Sequence, residues 1–312
     1  MIRAAYVFPG QGSQKVGMGK AWSDASGAAR DAFEQADTAL GSSLTRLCWE
    51  GPVEDLQRTR NTQPAILATS VAVLRAARER LPEPSVVAGH SLGEYSALVA
   101  SNVLDFGDAL RLVRERGRLM QRAVPEGQGA MAAILGLERA AVEEIAAEAS
   151  SQGVCAAANF NAPVQTVIAG AKGAVERAVA LAKERGAKRA VLLPVSAPFH
   201  SPLMVPARDG LAPLLAETGF SDPAVPVVTN VDAAPAVQGD DCRDALVRQV
   251  DGAVRWVESI HRMRDEFGVG LFIEIGPGSV LSGLIRRIAP EAKVASLAEP
   301  PGLDKLAAEE LA

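Results

Sequence analysis

The chain has 312 residues, which at about 150 per domain allows two compact units or one large domain carrying an insertion. Its composition, 48% hydrophobic and 22% charged, excludes wholesale disorder, and 32 Lys plus Arg against 37 Asp plus Glu give a net charge of −5. That acidic balance argues against broad nucleic-acid binding, though a local basic patch stays possible. The segment Met1–Gly10 carries a short apolar run before a Pro-Gly break, so it reads as a strand, Ala4–Phe8, and a turn instead of a signal peptide. A helix is predicted over Pro64–Arg80, ahead of Pro82 and Pro84. Ser85–Gly89 then reads as a buried strand, Leu92–Ser101 as an Ala/Leu-rich helix and Phe106–Ala123 as another. Between about Gly127 and Val195 the rhythm changes. Strand Ala130–Leu135, helix Ala140–Ser150, strands Val154–Asn159 and Thr166–Ala169, helix Ala174–Arg185 and strand Ala190–Val195 follow in the β-α-β-β-α-β order of a ferredoxin-like unit. The α/β pattern then returns, with strand Val225–Asn230, helices Cys242–Val250 and Ala253–Glu266, strand Leu271–Ile275 and a helix after Gly278. The last dozen residues look peripheral.

The fold class expected is therefore α/β, a core with a mostly parallel sheet over residues 1–127 and 196–312, interrupted by a ferredoxin-like subdomain at 128–195. No apolar run approaches the roughly 20 residues needed to cross a bilayer, so no membrane association is expected. Cys48, Cys155 and Cys242 form no CxxC pair. Neither a zinc site nor a disulfide framework is expected, and a cytoplasmic location fits.

Gly89-His90-Ser91-Leu92-Gly93 matches GxSxG. The bare pattern is weak and could be a Gly-rich turn with a capping serine. A strand before it and a helix after it raise it to a nucleophile elbow, with Ser91 above the sheet and the Leu92 N–H able to donate to an oxyanion. A serine needs a base, and the chain has only three histidines. His90 is the neighbour of Ser91 in a tight turn and projects elsewhere; His261 sits at the edge of an apolar helix face and reads as a boundary residue. His200 follows a strand in a loop held by Pro198 and Pro202, which favours it as the base. No acid can be nominated from spacing to orient it, and a backbone carbonyl could serve.

Arg116 falls at the centre of the apolar stripe of Phe106–Ala123, formed by Ala109, Leu112, Val113, Leu119, Met120 and Ala123. A buried guanidinium needs an anion, either an acid from elsewhere in the fold or a substrate carboxylate. The segment Phe8-Pro9-Gly10-Gln11-Gly12-Ser13-Gln14 fits neither a phosphate-loop nor a GxGxxG pattern, but its turn could aim the Gln11 N–H at an oxyanion. Gln63, Asn161 and Gln249 carry no independent signal.

Taken together, these segments resemble the malonyl-CoA:acyl carrier protein transacylase family, close to polyketide-synthase acyltransferases. The resemblance covers nearly the whole chain. Its markers are Phe8–Gln14, Asn61–Ala65, Gly89–Leu98, Arg114–Gly117, Asn159–Pro163, Phe199–Ser201, Arg248–Val250 with Val254–Trp256, and Glu274–Gly278. It implies a hydrolase-like core with a ferredoxin-like insert. It further implies an acylated Ser91, His200 as base oriented by the Gln249 carbonyl, and an oxyanion pair from Gln11 and Leu92. Arg116 would clamp the malonyl carboxylate, with Gln63, Asn161, His90 and Phe199 around the substrate. The implied substrates are malonyl-CoA and phosphopantetheinylated acyl carrier protein; no metal or other cofactor, no nucleic acid and no membrane partner is implied, and a monomer is expected. Asp251-Gly252-Ala253 and Ser279 depart from the family's usual turns, at positions expected to lie outside the chemistry. A serine esterase or thioesterase would share the elbow and base, and an acyl-carrier-binding scaffold would lack the acylation.

Overall fold

The computed structural model describes residues 2–309; Met1 and residues 310–312, the ends of the expected core segments, lie outside the described residues. Among the described residues ten strands form two sheets: β1 (Arg3–Phe8), β2 (Pro84–Gly89), β3 (Gly129–Leu135), β4 (Cys155–Ala162), β5 (Gln165–Ala171), β6 (Arg189–Leu192), β7 (Val227–Val228), β8 (Pro235–Ala236), β9 (Val269–Glu274) and β10 (Lys293–Ser296). The first sheet has the order β10-β9-β1-β2-β7-β8 and is parallel except for the β7–β8 edge. Its central strand β1 is buried from Ala4 to Phe8, the continuous apolar run of a parallel strand covered on both faces. The second sheet is antiparallel, in the order β4-β5-β3-β6. With helices Arg139–Ala149 and Lys172–Glu184 it encloses a small core of its own, including Ile134, Val142, Ile145, Ile168, Val175 and Leu181. This is the mostly parallel α/β core and split β-α-β-β-α-β unit that the sequence pattern implies.

A short β-bridge ties the antiparallel sheet to Val254, just ahead of the helix Trp256–Phe267. Val254 N–H donates to Ala158 C=O at 2.8 Å, and Phe160 N–H donates back to Val254 C=O at 2.9 Å. This bridge draws Val254 into an extended conformation, so the helix expected from Ala253 begins at Trp256. It also brings the end of β4, and with it Asn161, to the C-terminal edge of the parallel sheet.

Several elements differ from the sequence reading. The helix expected from Pro64 begins at Thr59 and carries Pro64 in its second turn, a position whose local cost the buried packing of this helix outweighs; Gln63 is thereby placed on a buried helix face. Helices Lys20–Ala25, Gly27–Leu40, Leu44–Glu50 and Val53–Gln57 fill the preceding stretch. The helix Val205–Glu217 contains Pro206 in its first turn and Pro213 in its interior, which masked it. The expected strand Val225–Asn230 pairs only at Val227 and Val228, since Thr229 and Asn230 leave the ladder toward the elbow. The carboxy-terminal segment is not merely peripheral: Pro301–Glu309 is a helix whose Leu303 and Leu306 are buried in the main core.

Candidate active site

The parallel strands β1 and β2 deliver their C-terminal ends side by side, with Phe8 opposite Gly89. A Cβ on Gly89 would lie 1.9 Å from the Gly93 backbone, and one on Gly93 would lie 2.0 Å from Phe8 O. Only two glycines let the chain reverse this tightly into the helix Gly93–Ala100. Between them Ser91 takes a left-handed φ of 52°, a strained setting for a side-chain-bearing residue and the one that lifts its hydroxyl out of the turn. The turn is held by Asn230, whose Oδ1 accepts from Ser91 N–H and whose Nδ2 donates to Gly89 O, each at 2.6 Å.

His200 also has positive φ, 57°, and reaches the serine: Nε2 lies 2.6 Å from Ser91 Oγ. Its Nδ1 faces two carbonyls, Gln249 O at 2.9 Å and Gly252 O at 3.1 Å. Carbonyls only accept, so the proton sits on Nδ1 and the Nε2 lone pair faces the serine hydroxyl. Burial pushes the imidazole pKa down to about 3; the Arg116 charge and His90 add to this, against the two carbonyls. The ring is therefore neutral near pH 7.

Arg116 is 2% exposed, yet no carboxylate lies within ion-pair distance of it among the described residues. Its Nη1 donates to Gln63 Oε1 at 2.7 Å; its Nη2 donates to Gln249 Oε1 at 2.9 Å and to Ser91 Oγ at 3.2 Å. The guanidinium carbon stands 5.7 Å from the centre of the Tyr95 ring. Of the two partners the sequence left open, an internal acid is not in contact. A cation held by neutral groups beside a serine–imidazole pair can receive a carboxylate on an acyl group attached to that serine.

These groups open into a cavity of about 1230 Å³ whose lining includes Gln11, Gln63, His90, Ser91, Leu92, Arg116, Asn161, Phe199 and His200. The backbone N–H groups of Gln11 and Leu92 enter none of the backbone bonds of the surrounding turns, whereas Ser91 N–H is occupied by Asn230. His90 turns away from the serine: its Nε2 meets Asn161 Oδ1 at 2.8 Å and its ring packs edge-on to Trp256. His261 is half-buried on the helix Trp256–Phe267 and is absent from the cavity lining. All three cysteines are free and buried, and no group of three or more His, Cys, Asp or Glu that could hold a metal occurs among the described residues.

Three contributors escaped the sequence reading. Gly252 belongs to the turn assigned outside the chemistry, but its carbonyl touches the imidazole. Asn230 was visible only as the end of a strand. Glu94 follows the elbow glycine and is the one charged residue of a helix otherwise made of small, apolar and uncharged side chains, a signal that could have marked it as buried for a reason.

The α/β fold, with a serine, an imidazole and a guanidinium brought together at its elbow, is that of an acyltransferase. The model of the acyl transferase domain family matches residues 5–300, and the chain belongs to that family. Within it, the chain is a member of the malonyl CoA-acyl carrier protein transacylase family. It is 50% identical over 299 residues to the malonyl CoA-acyl carrier protein transacylase of Haemophilus influenzae, covering 95% of this chain and 96% of that one. The crystal structure of an acyl-carrier-protein S-malonyltransferase from Burkholderia pseudomallei superposes with a TM-score of 0.95 at 50% identity, covering 97% and 99% of the two chains. A malonyl-transacylase in complex with its type II polyketide-synthase acyl carrier protein superposes at 0.94 with 46% identity, covering 97% and 98%.

Proposed function

We propose that this protein moves a malonyl group from malonyl-CoA to the phosphopantetheine thiol of an acyl carrier protein, through a malonyl-Ser91 ester. The observation that carries the reading is the convergence on one oxygen: Ser91 Oγ lies 2.6 Å from His200 Nε2 and 3.2 Å from Arg116 Nη2. Ser91 Oγ attacks the thioester carbonyl while its proton passes to His200 Nε2. The carbonyl oxygen becomes an oxyanion held by the Gln11 and Leu92 N–H groups, each contributing on the order of 3 kcal/mol. As the intermediate collapses, the C–S bond breaks and coenzyme A leaves as the thiol with the proton from His200. The carrier thiol then gives its proton to His200 and attacks the ester carbonyl, and Ser91 is released with that proton restored.

Arg116 takes the malonyl carboxylate, Gln63 and Gln249 orient the guanidinium, and the His90–Asn161 pair forms the wall opposite. Phe199, 8% exposed beside the base, crowds an α-methyl branch, so malonyl is preferred over methylmalonyl. Arg58, Arg60, Arg118 and Arg122 on the cavity lining suit a phosphate-bearing thiol arm. The chemistry uses serine, imidazole, amide and guanidinium groups and calls on no metal or redox cofactor. We assign residues 128–195 to an inserted subdomain and the remainder to the core, and place the enzyme in the cytoplasm as a monomer.

The test mixes malonyl-CoA with the enzyme, with and without the holo carrier protein, and compares carrier loading with free malonate. Loading far above hydrolysis supports the transferase; malonate release at the same rate in both mixtures makes it a thioesterase. In Ser91→Ala, intact-mass spectra should show no malonyl on the enzyme, and persistent labelling would refute the nucleophile.

A further inference from the structure

Glu94 is 1% exposed and lies directly beneath the elbow, in the first turn of the helix Gly93–Ala100. A carboxyl so placed is costly unless its oxygens are bonded. One oxygen, Oε2, accepts from both Asn230 N–H and Gln249 Nε2, each at 2.9 Å, while Oε1 has no hydrogen-bond partner. Both residues it holds also hold reacting groups. Asn230 fixes the Ser91 backbone through its Oδ1. Gln249 fixes His200 through its carbonyl and Arg116 through its Oε1.

The orientation of the Gln249 amide follows from its neighbours. Its NH2 faces only acceptors, Glu94 Oε2 and Ser91 O (2.9 Å), and its oxygen faces only a donor, the guanidinium. A flipped amide would set oxygen against oxygen on one side and N–H against N–H on the other. Glu94 thus points the Gln249 oxygen at Arg116 while staying one amide away from it. A carboxylate in direct contact with Arg116 would occupy the face a substrate carboxylate needs; this arrangement steers the guanidinium and leaves that face open.

We propose that Glu94 is a positioning residue for acyl selectivity, whose Oε2, by accepting from Gln249 and Asn230 together, sets Arg116 and Ser91 relative to each other. The inference rests on the acyl-transfer reading above. Its mechanism is the geometry of one acceptor oxygen, so a neutral amide at the same place keeps both bonds and loses only the distant carboxylate charge.

The test is the single-turnover rate of Ser91 acylation by malonyl-CoA and by acetyl-CoA, followed by intact mass over a range of substrate concentrations. In Glu94→Ala the malonyl-to-acetyl ratio should fall about ten-fold, with weaker saturation by malonyl-CoA, because two buried donors lose their acceptor. Glu94→Gln should restore the ratio to within about three-fold of the wild type, since the amide oxygen accepts both bonds. Glu94→Asp, which withdraws the carboxylate by one methylene, should behave like Glu94→Ala and replaces it if the alanine protein does not fold. An unchanged ratio with fewer active molecules in both shortened variants means a merely structural role and overturns the inference, as does a Glu94→Gln protein as unselective as Glu94→Ala. A wild-type protein that takes up no malonyl would instead overturn the functional reading, and this inference with it.

Discussion

Arg116 is hydrogen-bonded only to neutral groups, Gln63, Gln249 and Ser91, although burial pulls its pKa down and Tyr95 and Glu94 support the charge only from a distance. Such a cation is destabilising in the free protein and gains most from an incoming carboxylate. Arg116→Ala should therefore cost malonyl transfer about 2–4 kcal/mol in kcat/KM, while acetyl transfer loses much less. Equal losses for both acyl groups would show that the guanidinium is structural. The same charge acts on the base. After burial itself, Arg116 is the largest cause of the low His200 pKa, about 3 against an ordinary 6.5. A neutral imidazole is required for attack, so in the wild type the acid limb of acetyl transfer lies well below 6.5. Removing the positive charge makes protonation easier, and in Arg116→Ala that limb should move up toward 6.5; no upward movement would mean the two groups do not interact. At this scale the sequence was legible where a residue violated its surroundings. Arg116 broke an apolar stripe, and His200 was selected from three histidines. Gln249, Asn230 and Gly252 violated nothing, because amide side chains and backbone carbonyls carry no periodic or compositional mark; Gln249 became visible only through family resemblance.

The elbow shows how an element sets the chemistry. The backbone of Gly93 passes so close to Phe8 O that an added Cβ would stand 2.0 Å from it, and relief must come from backbone, not from a flexible side chain. Gly93→Ala should destabilise the protein by about 1–3 kcal/mol or more and displace Ser91 from His200. A thermal midpoint and acylation rate equal to those of the wild type would contradict this packing. Helices and strands with strong periodicity were readable from the sequence: Phe106–Ala123 lies where the stripe placed it. The helix Gly27–Leu40 buries Ala29, Ala32, Phe33 and Ala36, a stripe at helical spacing that was there to be read and was passed over. The helix Val205–Glu217 was hidden by Pro206 and Pro213, and β7 was shortened by the demand that Asn230 reach the elbow. In the last two, local preference lost to tertiary need.

For the whole molecule, residues of β3, β4 and β5 line the same cavity as the elbow, and long-range packing reaches the helix Pro301–Glu309. Leu306, 1% exposed, packs into the cluster that also holds Trp22, and Trp22 Nε1 donates to Leu297 O at 3.0 Å. Leu306→Ala should lower unfolding stability by about 2–4 kcal/mol in urea denaturation; a change within error would return this helix to a peripheral role. Light scattering should give a mass near 32.5 kDa if the chain acts as a monomer, and twice that value would reject the expectation. All of these groups serve one covalent event at Ser91. The most direct measurement charges the enzyme with malonyl-CoA, removes the coenzyme, locates the adduct by peptide mass and adds holo carrier protein. The malonyl group should sit on the peptide bearing Ser91 and pass to the carrier thiol; an adduct elsewhere, or one that leaves only as free malonate, would contradict the account.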